Sequence, residues 1–241
     1  MPKRLLITLM IITVVLLALT VTLVVAAPAP FFNRLTFLQP PRTGTDPLSP
    51  AEILQTQQTA NQDAALSAQI NTPQRTEILL VERHQEPKSA RQQGNWPRRA
   101  DMYVYNYDTD TLTHSIINLD TGAVDAVETA QNVQLPLTEN ETAQANQLAL
   151  TDPQVSSVIQ TQYKTIIGQP LTNPQDQLNV HTLIFKADSM LNQQLDRAAN
   201  CGLHRCAQLL ITTQTGYLVD LLPIVDLSRS EVVNVNSFVG N

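Results

Sequence analysis

The sequence predicts an α+β chain in which an N-terminal transmembrane helix precedes two tandem modules, each a helix packed on an antiparallel sheet. Three observations carry that prediction. Residues 5–27 run without a charged side chain. Two helix starts of the form hydroxyl-x-x-Glu stand 89 residues apart, at Ser49 and Thr138. Behind each follows a series of short segments rich in Val, Ile, Leu or Tyr and separated by polar turns, which is the pattern of antiparallel strands.

At about 1.5 Å per helical residue, residues 5–27 can span a hydrocarbon core of about 30 Å. Lys3 and Arg4 come before them, so the excess of positive charge keeps residues 1–4 in the cytoplasm and sends the rest outward. The expectation is a single-pass protein of the cell membrane, with the lipid bilayer as partner through residues 5–27 and the C-terminal modules extracytoplasmic. A cleaved signal peptide is the alternative, since Ala26 and Ala27 are small, but such a peptide has an apolar core of only about 7 to 15 residues. Residues 28–47 contain Pro28, Pro30, Pro40, Pro41 and Pro47 and read as an extended spacer. Phe31, Phe32 and Phe37 lie near the membrane exit, where aromatic rings lodge at the headgroup level.

The first module is expected over 48–133. Ser49 caps a helix, with Pro50 at its first position and Glu52 returning a bond to the cap. Strands are expected over 77–84, 102–107, 112–119 and 123–127, with Asp120-Thr121-Gly122 turning the chain between the last two. The second module, 134–241, repeats the order. Thr138 and Glu141 open its helix, Asp152-Pro153 starts another carrying Val155, Val158, Ile159, Tyr163 and Ile166 on one face, and Gly168 ends it. Strands follow over 181–187, 207–213, 217–226 and 231–235. Repeated order suggests duplication.

Composition narrows the function. Against 21 Asp and Glu there are 15 Lys and Arg, a net charge of -6, so no nucleic-acid partner is expected. Seven glycines without a Gly-rich loop remove the phosphate-loop and dinucleotide readings. His84, His114, His181 and His204 are isolated and read as ordinary surface or strand residues, and no catalytic, cofactor-binding or metal-binding residue is assigned. Glu82, Arg83, His84, Glu86 and Lys88 read as a solvated strand end. Cys201 and Cys206, in a segment exported to an oxidising compartment, are expected to form a local disulfide. Thiolate metal binding with His204 is the alternative, and it lacks a fourth ligand nearby. Tyr103, Tyr105 and Tyr107 share one strand face. That face is either a contact surface for a protein partner or the cover of the first module's core or of its junction with the second.

Several motifs in order resemble the N-terminal accessory domains of copper-containing amine oxidases. They are Asp46-Pro47-Leu48-Ser49-Pro50-Ala51-Glu52-Ile53, Glu86-Pro87-Lys88, Pro97-Arg98-Arg99-Ala100 and Asn118-Leu119-Asp120-Thr121-Gly122-Ala123-Val124. Leu135-Pro136-Leu137-Thr138, Asp152-Pro153-Gln154-Val155 and Val225-Asp226-Leu227 extend the resemblance into the second module, while residues 192–206 depart from it. In that family the small domains are accessory, and chemistry belongs to a larger C-terminal β-sandwich with copper and a tyrosine-derived quinone, which this chain is expected to lack. Asn106-Tyr107-Asp108 matches the quinone motif in letters, but it falls at a strand end of the accessory region. The resemblance implies a noncatalytic, membrane-anchored binding or assembly protein. The alternatives are an accessory subunit of a split copper and topaquinone amine oxidase, or a single-pass structural subunit of a larger membrane complex.

Overall fold

The computed structural model describes residues 45–72, 75–94, 96–189, 196–217 and 219–236. The expected membrane helix over 5–27 and most of the spacer lie outside the described residues; within these, no helix is long and apolar enough to cross a membrane.

Helix α1 (Pro50–Gln62) begins at the expected cap. The Ser49 hydroxyl accepts from Glu52 N and the Glu52 carboxylate accepts from Ser49 N, so two backbone donors at the helix end are satisfied reciprocally. Asp63 interrupts it and caps α2 (Ala64–Ile70) by accepting from Ala65 N and Leu66 N. Four strands follow, β1 (Thr76–Arg83), β2 (Arg99–Asn106), β3 (Thr111–Asn118) and β4 (Ala123–Ala130), with the short α3 (Lys88–Gln93) between the first two. They pair in sequence order as an antiparallel sheet. Met102, Val104 and Ile117 on one sheet face cluster with Ala60 and Leu66 of the helices to make the first core. Full burial of side chains such as Met102 and Ile117 stabilises the fold by roughly 1.5–3 kcal/mol each.

The second half repeats this plan. Helix α4 (Glu139–Thr151) carries the same capping box between Thr138 and Glu141, and α5 (Pro153–Ile167) starts from Asp152 and ends at Gly168 in the left-handed region. Val155, Ile159 and Tyr163 are its buried face, as the spacing predicts, while Val158 and Ile166, expected beside them, are half-buried. A one-turn α6 (Pro174–Gln177) leads into β5 (Leu178–Phe185), β6 (Cys206–Thr213), β7 (Leu222–Asp226) and β8 (Glu231–Asn236), again paired in order. Strand β7 starts at Leu222 rather than Tyr217. Leu221 N donates to Val219 O, a tight γ-turn that breaks the ladder, although Val219 N still reaches Ile211 O. Replacing Asp152 with Ala removes the acceptor shared by Gln154 N and Val155 N and is expected to lower stability by about 1 kcal/mol, read from the urea midpoint.

Local irregularities recur at matching places. The β3–β4 ladder shifts register between Ile116 and Ile117, and the β7–β8 ladder between Ile224 and Val225. The turn after β3 places Gly122 at φ +67, and the turn after β7 places Ser230 at φ +56. Ser230 bears the left-handed backbone without glycine's freedom, and its hydroxyl accepts from Arg75 and Gln144.

The largest core belongs to both halves. Tyr105, Tyr107 and Leu112, on the sheet face away from α1, cluster with Ala145, Ile159, Leu209, Ile211 and other side chains of the second half. A smaller cluster on the far side of the second sheet joins Phe185, Ile224 and Val233 to Ala198 and the two cysteines, so residues 196–206 cover that face.

Candidate functional site

Each capping-box glutamate has a second role. Arg98, just before β2, places Nε 3.0 Å from Glu52 Oε1 and Nη2 3.3 Å from Oε2, and donates to the carbonyls of Asp46 and Pro47. Those two residues, expected at the end of the spacer, are thus fastened to the first module. Arg205, just before β6, repeats the arrangement: it bonds both oxygens of Glu141 and donates to the carbonyls of Leu135 and Pro136. In each half one guanidinium ties the helix start, the chain leading into it and the sheet. The geometry is bidentate, which a lysine could not reproduce.

Burial separates the two copies. Arg205 and Glu141 are both fully buried, whereas Arg98 keeps 9% of its surface. Burial alone would raise the Glu52 carboxyl. The hydrogen bonds from Arg98 and from the Ser49 backbone and hydroxyl, together with the Arg98 charge, outweigh it and lower the pKa from 4.5 to about 2.

The seam between the halves is built around the second copy. The Tyr107 hydroxyl donates to Glu141 at 2.8 Å and lies 3.1 Å from a Glu77 oxygen, and Thr138 donates to Glu77 at 2.6 Å. Burial foremost, then the Glu141 and Glu77 carboxylates, push the Tyr107 hydroxyl far above its ordinary titration range. Tyr105 donates to Asp110 at 3.0 Å and lies under the Arg205 guanidinium, 5.7 Å from ring centroid to carbon. Burial and then Asp110 raise it as well. Arg75 donates to the Ser228 and Leu227 carbonyls and to the Ser230 hydroxyl. The tyrosine face therefore lies inside the molecule: Tyr105 is 1% and Tyr107 7% exposed, and both contribute to the junction rather than to open surface. Tyr103 is half-buried at its margin and stacks on His114.

The expected disulfide between Cys201 and Cys206 is present, with 5.5 Å between the Cα atoms. Two sequence readings need correction. His204 is no surface residue; it is buried, with Nδ1 2.7 Å from Asp226 and Nε2 3.7 Å from Asp110. The charged run after β1 is not wholly solvated, because Glu86 is buried and ion-paired with Arg99 at 2.9 Å.

The described residues do not fit a copper centre. His84 Nδ1 and His114 Nε2 both address one oxygen of Asp101, at 2.9 and 2.8 Å, and are paired with that carboxylate rather than arranged around an ion. His204 is held by Asp226, and His181 is exposed on edge strand β5. Among the described residues no group of three His, Cys, Asp or Glu side chains is placed to hold a metal. An open cleft of about 770 Å³ between α4 and β5 is lined by residues such as Asn146, Gln147, Leu150 and Val180, and its lining includes no ionisable side chain.

No protein-family model matches the chain, and no curated protein is similar to it. Among solved structures, the copper-containing benzylamine oxidase from Hansenula polymorpha is similar in fold, with a TM-score of 0.54 and 16% identity. The match covers 83% of this chain and 30% of that one, so the chain spans less than a third of that enzyme's length. At this identity the likeness is one of fold.

Sequence reasoning named both capping glutamates but missed the arginines that complete them. A signal was present in retrospect: in both halves an arginine comes immediately before the second strand, Arg98 ahead of Arg99 and Arg205 ahead of Cys206.

Proposed function

We propose that the chain is a noncatalytic binding or assembly protein, built from two amine-oxidase-type accessory modules and held outside the cytoplasm by its N-terminal apolar segment. The observation that carries this reading is the fold likeness over 83% of the chain to a copper amine oxidase. The chemistry of the buried polar groups supports it: Arg98, Glu52, Arg205, Glu141, Tyr105 and Tyr107 are engaged with one another and with backbone, which is what a rigid scaffold requires. Residues 5–27 and the basic pair ahead of them support the anchor.

A second reading makes the chain the accessory subunit of a split amine oxidase. Its support is the fold likeness to a copper amine oxidase, of whose chain the match covers 30%.

The test is to extract the native protein from membranes in mild detergent, identify stoichiometric partners, and assay the isolate for copper and quinone. The first reading expects defined partners, or none, without either cofactor. A stoichiometric partner carrying copper and staining for quinone overturns it in favour of the second. Recovery of the protein in the soluble fraction without residues 1–27 overturns the anchor.

A further inference from the structure

We propose that the Cys201–Cys206 disulfide is an oxidation-dependent latch that docks the two modules. The bond closes a short loop, Gly202 to Arg205, and each loop residue is used at the seam or by the chain leading into the second module. The carbonyls of Gly202 and His204 accept from Gln134 Nε2 at 2.8 and 3.4 Å. The Leu203 carbonyl lies 3.5 Å from the Tyr105 hydroxyl of the first module, whose proton goes to Asp110. The His204 ring lies between Asp226 and Asp110, the latter on the β2–β3 turn of the first module. Arg205 covers the Tyr105 ring and fastens Glu141, which in turn accepts from Tyr107.

These contacts demand a defined loop shape. Gly202 stands at φ +114, a conformation side-chain-bearing residues rarely adopt. An open chain would have to give up its freedom to reach that shape as the modules meet. Closing the disulfide restricts the loop beforehand, so the seam forms with less loss of conformational entropy. The latch closes when the two thiols are oxidised to one S–S bond while an oxidising disulfide of the exported compartment is reduced to two thiols, which receive the two protons. A dithiol reductant runs the same exchange backwards.

Coupling of this kind is reciprocal. If the disulfide favours docking, docking must protect the disulfide. Cys201 is 4% exposed and Cys206 not at all, but they are buried among Phe185, Ala198, Ile224 and Val233 of the second module rather than at the seam, so docking protects the disulfide through its equilibrium with a reductant and not by shielding the sulfurs. Contacts that no loop residue makes or braces directly, such as Arg75 on the Ser230 hydroxyl and Thr138 on Glu77, leave the reduced protein partly docked. The latch rests on the export proposed above and not on the binding role.

Two measurements on the full chain test it. In the Cys201→Ser/Cys206→Ser variant, amide hydrogen exchange around Thr76 and Tyr107 at the seam is expected to quicken about tenfold, with Met102 and Leu209 in the two sheets still protected. Unchanged seam protection overturns the latch. In the second, the Arg75→Ala variant, altered away from the cysteines, is equilibrated with mixtures of reduced and oxidised dithiothreitol. The equilibrium constant is expected to lie about tenfold further toward the protein dithiol than in the unaltered chain. Equal constants overturn the proposal, and this measurement decides it if the cysteine variant does not fold.

Discussion

Replacing Arg205 with Met lowers the unfolding free energy by roughly 3–5 kcal/mol, the cost of stranding a buried charge. The guanidinium of Arg205 meets both oxygens of Glu141, the carbonyls of Leu135 and Pro136, and the face of Tyr105. Neither partner of the ion pair has any exposed surface, so water cannot take over when one is removed. Methionine restores much of the volume and none of the donors. Glu141 would keep the bond from Tyr107 and its capping contacts but lose its counter-charge. Urea unfolding of the two proteins checks the magnitude, and a loss below about 1 kcal/mol would show that Glu141 finds another partner. The double variant Arg205→Met/Glu141→Leu is expected to be less damaged than the sum of the single ones, because the desolvated charges disappear together. It still loses the half of the α4 capping box that Glu141 supplies to Thr138 N, while the Thr138 hydroxyl keeps its bond to the backbone at 141.

The difference between what sequence reasoning found and what it missed follows sequence separation. The capping boxes at Ser49 and Thr138, the Asp152 cap and the Gly168 stop are each completed within a few residues, so their chemistry is local and readable. The disulfide is equally local, its cysteines five positions apart. By contrast Glu52 meets Arg98 across 46 positions and Glu141 meets Arg205 across 64, distances over which composition and periodicity say nothing of pairing. Alternation placed Tyr103, Tyr105 and Tyr107 on one face. It could not say that the second module occupies that face, because an inward-facing tyrosine with its hydroxyl bonded to a buried carboxylate has the same one-letter pattern as an exposed one. His204 was misplaced for the same reason: Asp226 and Asp110, which hold it, come from β7 and from the other half of the molecule.

Acid weakens the first module through Glu52. Its carboxyl titrates near 4.5 in an unfolded chain and at about 2 in the folded one, so the unfolded state takes up the proton first. The stabilisation is therefore complete above pH 4.5, declines as the pH falls through the interval, and is gone below about 2. A difference of that size corresponds to roughly 3 kcal/mol, and at 2% exposure Glu52 has little solvent screening to reduce it. The Glu52→Gln variant isolates this contribution from the other carboxylates. At pH 6 it is expected to be less stable than the unaltered chain by an amount approaching that figure, because glutamine cannot balance the Arg98 charge. As the pH drops toward 2 the two proteins should converge, since protonated Glu52 is then as neutral as the amide that replaces it. Urea denaturation of both at pH 6, 4 and 3 measures the gap. A gap that stays constant across that range would mean that Glu52 is not held by Arg98 as an ionised partner, and that the capping hydrogen bonds alone explain its place at the start of α1.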